Sequence, residues 1–175
     1  MNDPENSKNK SPHGLMLPKK AVPFVWGFIV LVIQVFLPWG FAKFGPRFGW
    51  AQATPAWWNL TGLILVVSGI GLYAWCLVFH YRTYRESVRV GFSPPHLVTA
   101  GPYQISRNPM YVSGLIAWLG WVLFYGSPVV LGAFTLLWAV FSFRVIPHEE
   151  SLLEGLFGDE YLAYKRSVRR WLGRY

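Results

Sequence analysis

The uncharged run WWNLTGLILVVSGIGLYAWCLVF, residues 57–79, decides the fold of this chain. Its 23 residues include no Asp, Glu, Lys or Arg. As a helix rising about 1.5 Å per residue the run spans roughly 35 Å, and the hydrocarbon core of a bilayer is about 30 Å thick. The run therefore predicts a membrane-spanning helix.

Three further apolar runs accompany it, at residues 22–42, 110–126 and 128–146. The first holds a single strongly polar residue, Gln34, and the last two are separated only by the turn at Gly126-Ser127. The run at 110–126, the third of the four in chain order, is short enough that a buried helix of a soluble protein is the alternative interpretation. We predict four transmembrane helices, the last two forming a hairpin.

The composition favours the same class of protein. Hydrophobic residues make up 53% of the chain and charged residues 14%, against roughly 25% charged residues in soluble domains. Residues 148–174 alternate apolar and charged positions at a helical period, which is typical of an amphipathic helix lying on a membrane surface. We therefore expect an all-α integral membrane protein with four transmembrane helices and a cytoplasmic C-terminal amphipathic helix.

The net charge of +8 could by itself indicate a nucleic-acid binder, so the placement of the charges matters more than their sum. With four spans, 14 of the 16 Lys and Arg residues fall on one side of the membrane. The positive-inside rule then places both termini and the loop 80–109 in the cytoplasm, in a chain of the cytoplasmic (inner) membrane. Membrane lipids, and not nucleic acid, are the expected surroundings.

Cysteine chemistry is not expected. The only cysteine, Cys76, lies inside the second apolar run, so it can form no intramolecular disulfide and has no metal-ligand spacing around it. We predict no metal site.

Two polar stretches, residues 94–111 and 144–164, flank the third and fourth runs, and a hairpin would bring them together. Asn108 and Pro109 suit a helix cap followed by its first turn. Glu149 and Glu150 likewise suit the acidic first turn of a C-terminal helix. Neither interpretation accounts for Arg107 or for the tyrosines of the first stretch.

The pattern GPYxxxRNPMY at 101–111, followed after the hairpin by EExxLxxxFGxEYxxYxxxVxRW at 149–171, resembles the isoprenylcysteine carboxyl methyltransferase and phospholipid methyltransferase superfamily. The resemblance covers residues 93–173. It implies an integral membrane methyltransferase that uses S-adenosylmethionine, with the cofactor held at the cytosolic ends of the last spans under the C-terminal helix.

The resemblance also assigns residues by position. The cofactor-binding residues that it implies are His96, Leu97, Val98, Tyr103, Asn108, Pro109, Met110, Tyr111, Glu149 and Glu150. The catalytic residues that we expect are Arg107, Arg144 and Glu150. Aromatic faces and carboxylates suit a sulfonium beside an amine, because cation–ring attraction and charge-assisted hydrogen bonds strengthen where water is scarce.

The polar composition of residues 1–20 predicts a disordered cytoplasmic tail, the apolar runs place the first two spans with their loops at 21–92, and the resemblance implies a catalytic half at 93–175. The acceptor is expected to be lipophilic and to enter from the bilayer. A carboxylate acceptor, such as an isoprenylcysteine, requires a cation such as Arg107 or Arg144. A lipid amine requires a base, which Glu149 or Glu150 could supply. A thiol acceptor stays open, and no obligate protein partner is expected.

Two other classes compete with a methyltransferase. One is a non-enzymatic four-span scaffold or a transporter, although a transporter should place ionisable groups inside its spans, and only Arg144 lies within a run. The other is a membrane lipid reductase that uses a nicotinamide cofactor.

Overall fold

A computed structural model describes residues 29, 30, 32–84 and 96–175. The predicted tail at 1–20, the beginning of the first apolar run and residues 85–95 of the basic loop lie outside these described residues. The described part is mostly helical, with a single short two-stranded sheet.

The described residues form five helices, which in chain order are α1 (Val32–Phe41), α2 (Trp57–Tyr84), α3 (Pro109–Tyr125), α4 (Pro128–Phe157) and α5 (Asp159–Ser167). The first turns of α1 and a segment within α4, Phe141–Val145, are π-helical. Strand β1 (Trp50–Ala51) pairs antiparallel with β2 (Thr54–Pro55), and a 3₁₀ turn, Gly101–Gln104, precedes α3.

Residues Trp57–His80 of α2 and the whole of α4 are long and apolar enough to cross a membrane, whereas α1 and α3 are apolar but shorter. Within the most apolar windows of the two long helices, 22% and 17% of the residues are buried inside the chain. Large apolar side chains such as Ile64, Val67 and Leu136 are therefore exposed. Apolar surface of this extent is unusual in a soluble monomer, and the structure is consistent with an all-α membrane protein.

Small residues let α2 and α3 pack with their backbones nearly in contact. A Cβ atom at Gly120 would lie 2.6 Å from the backbone oxygen of Gly62, and one at Gly69 would lie 2.6 Å from that of Ser113. Close approach of this kind is typical of helices that associate inside a bilayer. The contact fixes the direction of α3 and so the position of the residues at its beginning.

One buried amide joins the elements at the far end of α3. Asn59, which is fully buried at the beginning of α2, donates hydrogen bonds to the carbonyls of Phe48 and Leu123 at 3.1 and 3.0 Å. Nearby, Tyr125, Ala42 and Val130 form a small core. A second core, described below, lies at the opposite end of α3, about 25 Å away for a helix of 17 residues.

The boundaries of α3 and the beginning of α2 agree closely with the apolar runs, but α2 continues five residues past its run to Tyr84, into the expected loop, and the boundaries of α4 also differ. We expected the fourth run to end at residue 146 and a separate helix to cover 148–174. Instead α4 continues through Phe157 because the wider π-helical turn Phe141–Val145 precedes Pro147, whose ring and missing N–H would disturb a regular helix. The helix breaks at Gly158, where φ is +50°.

The last residues are not helical, which also corrects the expectation for 148–174. Val168 leaves α5 in extended conformation and pairs antiparallel with Arg174. We call residues 168–174 the C-terminal hairpin. It packs against the segment before α3, because the N–H of Gly173 donates to the carbonyl of Ile105 at 2.8 Å and the N–H of Arg107 donates to that of Arg169 at 3.1 Å.

Candidate functional site

The carboxylate of Glu150 lies between two guanidinium groups. Nη2 of Arg107 is 3.2 Å from Oε1, and Arg170 contacts both oxygens, with Nε 3.2 Å from Oε1 and Nη2 2.7 Å from Oε2. The side chains of Glu150 and Arg107 are 5% and 6% exposed, whereas that of Arg170 is 35% exposed. The hydrogen bonds that Arg170 donates to Glu150 raise the pKa of Arg170 above its ordinary value. A cluster of charge-assisted hydrogen bonds therefore lies at the end of the molecule where α3 begins.

Local backbone geometry places these charges. Arg107 lies two residues before the beginning of α3 at Pro109, whereas Arg170 lies in the C-terminal hairpin. The carbonyl of Arg170 accepts hydrogen bonds from Ser106 Oγ at 3.2 Å and from Asn108 Nδ2 at 3.1 Å. Ser106 and Asn108 thus attach the hairpin to the entrance of α3.

Arg107 keeps unused donors. Its Nε and Nη1 are buried and have no hydrogen-bond partner among the described residues. A buried guanidinium N–H without an acceptor is costly, and such a group is commonly satisfied by a ligand or a water molecule. Arg107 is therefore suited to holding an anionic group such as a carboxylate.

Glu149 belongs to a different part of the site. The hydroxyl of Tyr111 donates to Glu149 Oε1 at 2.7 Å, and the Tyr111 ring lies 4.7 Å from the ring of Phe141. The other oxygen of Glu149 has no hydrogen-bond partner among the described residues. A carboxylate beside an aromatic ring suits a cationic group.

A buried tyrosine core forms another part of the site. Tyr161, Tyr164 and Val168 pack against Leu97 and Tyr103. The hydroxyl of Tyr164 donates to the carbonyl of Tyr103 at 2.7 Å, which ties α5 to the 3₁₀ turn. Burial, and next the charge of Glu150, raise the pKa of Tyr161 to about 12. Burial also raises the pKa of Tyr164.

Tyr103 joins the site to α2 as well. Its hydroxyl lies 2.9 Å from Nε2 of His80, and the two rings meet edge to face with centroids 5.4 Å apart. Tyr103 therefore contacts α2 through its side chain and α5 through its backbone.

The other predicted site residues fall into two groups. Pro109 is the first residue of α3, as expected, and it is buried. Met110, which follows it, is half-buried, and so is Val98, which lies before the 3₁₀ turn. Asn108 occupies the cap position, but its side chain forms no cap hydrogen bond and binds the C-terminal hairpin instead.

His96 and Arg144 are exposed, and neither is brought into the ion-pair cluster of Glu150. The acidic-first-turn interpretation of Glu149 and Glu150 is not supported, since α4 is already continuous at that point and has no free N-terminus there. Glu150 is held by side chains and not by a helix end.

Four further residues complete the site. Ser106 was not singled out from the sequence, whereas Tyr161, Tyr164 and Arg170 are positions of the motif at 149–171 to which no role in the site was assigned. A glutamate beside an apolar span needs a cationic partner if it is buried.

An apolar groove begins next to the charged cluster. Val112 and Leu115 of α3, Phe134 and Trp138 of α4, and the hairpin residues Trp171 and Leu172 line it together with two further residues of α3. Val112 follows Tyr111 in α3, and Trp171 follows Arg170 in the C-terminal hairpin, so the groove and the charged cluster are built from the same two segments of the chain.

The site therefore has two signs of charge. Around Glu150 two guanidinium groups face one carboxylate, so this part is positive overall, whereas Glu149 makes the neighbouring part negative. A zwitterionic ligand would match both parts. Among the described residues no group of three His, Cys, Asp or Glu could hold a metal ion.

Comparison with known proteins gives three kinds of result. Residues 57–160 match the family described as phospholipid methyltransferase. A probable protein-S-isoprenylcysteine O-methyltransferase of Oryza sativa subsp. indica is 36% identical over 117 residues, which cover 65% of this chain and 60% of the relative. Protein-S-isoprenylcysteine O-methyltransferase A of Arabidopsis thaliana is 33% identical over 115 residues, 64% of this chain and 58% of the relative. No solved structure matches.

A shorter relative is matched along its whole length. An uncharacterized protein of Haemophilus influenzae is 44% identical over 64 residues, which are 36% of this chain and 100% of that protein. The plant enzymes are longer, and this chain spans about 60% of their length.

Proposed function

Because the chain belongs to the phospholipid methyltransferase family, we propose that it is a membrane-embedded enzyme that transfers a methyl group from S-adenosylmethionine to a lipophilic acceptor. The plant relatives are named as methyltransferases that act on isoprenylcysteine. The observation that carries the proposal is the pair of unused N–H groups of buried Arg107 beside a second, negative part of the site.

The residues of the site fit the methionine part of the cofactor. The free Nε and Nη1 of Arg107 suit its carboxylate, and Glu149 with Tyr111 suits its ammonium group. Leu97, Val98 and Tyr103 would form one wall and residues 108–111 a second. When bound, S-adenosylmethionine supplies a methyl group activated by a positively charged sulfur.

Glu150 serves this site by holding arginines and not by moving protons. Both of its oxygens are engaged by Arg107 and Arg170, so neither is available to accept a proton from an acceptor. Of the two glutamates, only Glu149 has an oxygen that the described residues leave unengaged, so an amine acceptor would have to compete with the ammonium group of the cofactor for this base. A carboxylate acceptor would need no base and would use the positive part of the site.

The acceptor reaches the site from the bilayer. The apolar groove between α3, α4 and the C-terminal hairpin begins at the residues next to Tyr111 and Arg170. An acyl or prenyl chain in that groove would keep its polar end beside the charged cluster. Because positioning of two substrates is the main demand of methyl transfer, this arrangement accounts for most of the catalysis required.

The topology completes the proposal. We propose four spans, formed by the helix ending in α1 and by α2, α3 and α4, with α3 and α4 as a transmembrane hairpin. The excess of Lys and Arg on one side favours cytoplasmic termini in the inner membrane. The catalytic half is then residues 93–175, with the site at the cytoplasmic surface.

Ligand binding by the detergent-solubilised protein tests the proposal. We expect S-adenosylhomocysteine to release heat in a calorimetric titration and to raise the melting temperature, because a ligand of the folded state stabilises it. NADPH, the probe for a reductase, should do neither. A response to NADPH alone would overturn the proposal, as would the absence of any response to S-adenosylhomocysteine.

Methyl transfer tests the acceptor. Labelled S-adenosylmethionine is incubated with the protein and fractionated membrane lipids, and the product is partitioned between organic solvent and water. We expect the label in the organic phase, and its loss under mild base would indicate a methyl ester. Label confined to water-soluble products would contradict lateral entry from the bilayer.

A further inference from the structure

Three exposed arginines around the C-terminal hairpin carry charge that no ion pair within the described part of the chain neutralises. The segment 161–175 contains five basic residues and no acidic residue. Two of the five are paired with glutamates of α4. The other three are exposed and form no ion pair with the described residues, and they are Arg166, Arg169 and Arg174. The nearest acids of α5, Asp159 and Glu160, lie at the opposite end of that helix.

The hairpin also lies at the edge of the apolar surface. Trp171 and Leu172 line the groove together with side chains of α3 and α4. Leu172 is nevertheless 57% exposed, and Tyr175 is 78% exposed. The guanidinium of Arg169 lies 5.2 Å from the ring centroid of Tyr175. Exposed apolar and aromatic groups next to arginines are typical of chain at the boundary between lipid tails and headgroups.

We propose that Arg166, Arg169 and Arg174 form a binding surface for anionic phospholipid headgroups, in the leaflet that borders the C-terminal hairpin. Guanidinium groups bind phosphate oxygens through paired hydrogen bonds, and these three have donors to offer. A basic residue near an anionic membrane surface strengthens binding about fivefold. Three such residues therefore distinguish anionic from zwitterionic lipid by a measurable margin.

Lipid bound at this surface acts on the site through the hairpin. The carbonyl of Arg169 accepts a hydrogen bond from the N–H of Arg107. The next residue, Arg170, forms an ion pair with Glu150. Headgroups that bind the exposed arginines favour the packed hairpin and with it the position of Arg107. Anionic lipid therefore strengthens cofactor binding, a consequence that rests on the proposed function.

The binding surface is tested with the full-length protein in nanodiscs of phosphatidylcholine, with and without phosphatidylglycerol. Phosphatidylglycerol should raise the melting temperature, and added sodium chloride should reduce that shift because salt screens exposed charges. The triple variant Arg166→Gln, Arg169→Gln, Arg174→Gln should lose most of the shift. A triple variant that keeps the full shift, or a wild type that shows none, overturns the proposal.

A charge-matched control separates a binding surface from general electrostatics. The double variant Glu154→Gln, Lys165→Gln removes an ion pair from the same region without changing the net charge. It should keep the response to phosphatidylglycerol, whereas Arg166→Gln alone should reduce it. Equal loss in both would contradict the assignment of the surface to the unpaired arginines.

The effect on the site is measured as the dissociation constant of S-adenosylhomocysteine in the two kinds of nanodisc. Phosphatidylglycerol should lower it severalfold for the wild type and not for the triple variant. Equal affinity in both nanodiscs overturns the coupling between lipid and site. No binding in either nanodisc contradicts the proposed function instead, while the melting temperatures still decide whether the lipid surface exists.

Discussion

Arg170 and Glu150 are 20 residues apart in the sequence, yet Nη2 of Arg170 lies 2.7 Å from Oε2 of Glu150. This contact closes the C-terminal hairpin onto α4. Arg107 reaches the same carboxylate from the beginning of α3, so one buried acid joins three separate parts of the chain. Removing the acid leaves two cations close together without their common partner.

Glu150→Gln should lower the free energy of unfolding by about 3–5 kcal/mol, because Arg107 then stays buried without a compensating charge. Thermal unfolding in detergent measures the loss. The control is Glu154→Gln, which breaks an ion pair at the surface and should change the stability by at most about 1 kcal/mol. Equal losses in the two variants would show that the cluster is not held as described.

Arg170→Ala should raise the dissociation constant of S-adenosylhomocysteine about tenfold or more, since Glu150 and Arg107 lose a partner that orients them. Arg170→Lys should recover part of the affinity, because it keeps the charge but not the paired geometry. Calorimetry in detergent measures both. Arg166→Ala, a change at an exposed arginine, should have little effect there, and a similar loss in that variant would argue against a specific role of Arg170.

Tyr111→Phe removes one hydroxyl and leaves the ring in place against Phe141. We expect the affinity for S-adenosylhomocysteine to fall about tenfold, because Glu149 loses the donor that orients it. The melting temperature without ligand should change little. Tyr125→Phe, at the other end of α3, should leave the affinity unchanged, and a loss there would point to a general disturbance of the helix.

Gly120→Ala should destabilise the protein by about 1–3 kcal/mol, because the added methyl group would overlap the backbone oxygen of Gly62. Gly71→Ala provides the matched control, since an added methyl group there meets no atom within 4 Å. That substitution should be neutral or slightly stabilising, given the higher helix propensity of alanine. Unfolding curves that rank the two variants the other way would contradict the close packing of α2 on α3.

Single cysteines test the topology in a Cys76→Ser background. Phe48 and Arg174 are exposed at opposite ends of the molecule. A cysteine at 174 should react with a membrane-impermeant reagent only from the cytoplasm, and one at 48 only from outside. Labelling of both positions from the same side would contradict the proposed span count.

Much of the helical framework could be predicted because local features of the sequence mark where the helices begin and end. The apolar run at 110–126 differs by one residue at each end from α3, which begins at Pro109 and is followed by Gly126 in left-handed conformation. The tryptophan pair likewise marks the beginning of α2. These boundaries depend on a proline, a glycine and the end of an apolar run, all of which are visible without a structure.

The continuation of α4 could not be predicted in this way. Pro147 suggests a helix end, and only the π-helical turn before it shows how the helix passes the proline. The hairpin at 168–174 could not be predicted for a different reason. It forms hydrogen bonds with residues 105–108, about sixty positions away in the sequence. The role of Arg170 depends on that packing and therefore appears only in three dimensions.

In the proposed topology, the length of α4 sets the depth at which its glutamates lie in the membrane. At about 1.5 Å per residue its 30 residues extend about 45 Å, some 15 Å more than a hydrocarbon core of about 30 Å. With Pro128 near one face, the last ten residues project beyond the other, and Glu149 and Glu150 stand just past the boundary. An acceptor would then present its headgroup to these residues without leaving its leaflet, so the enzyme would not have to extract a lipid from the membrane in order to modify it.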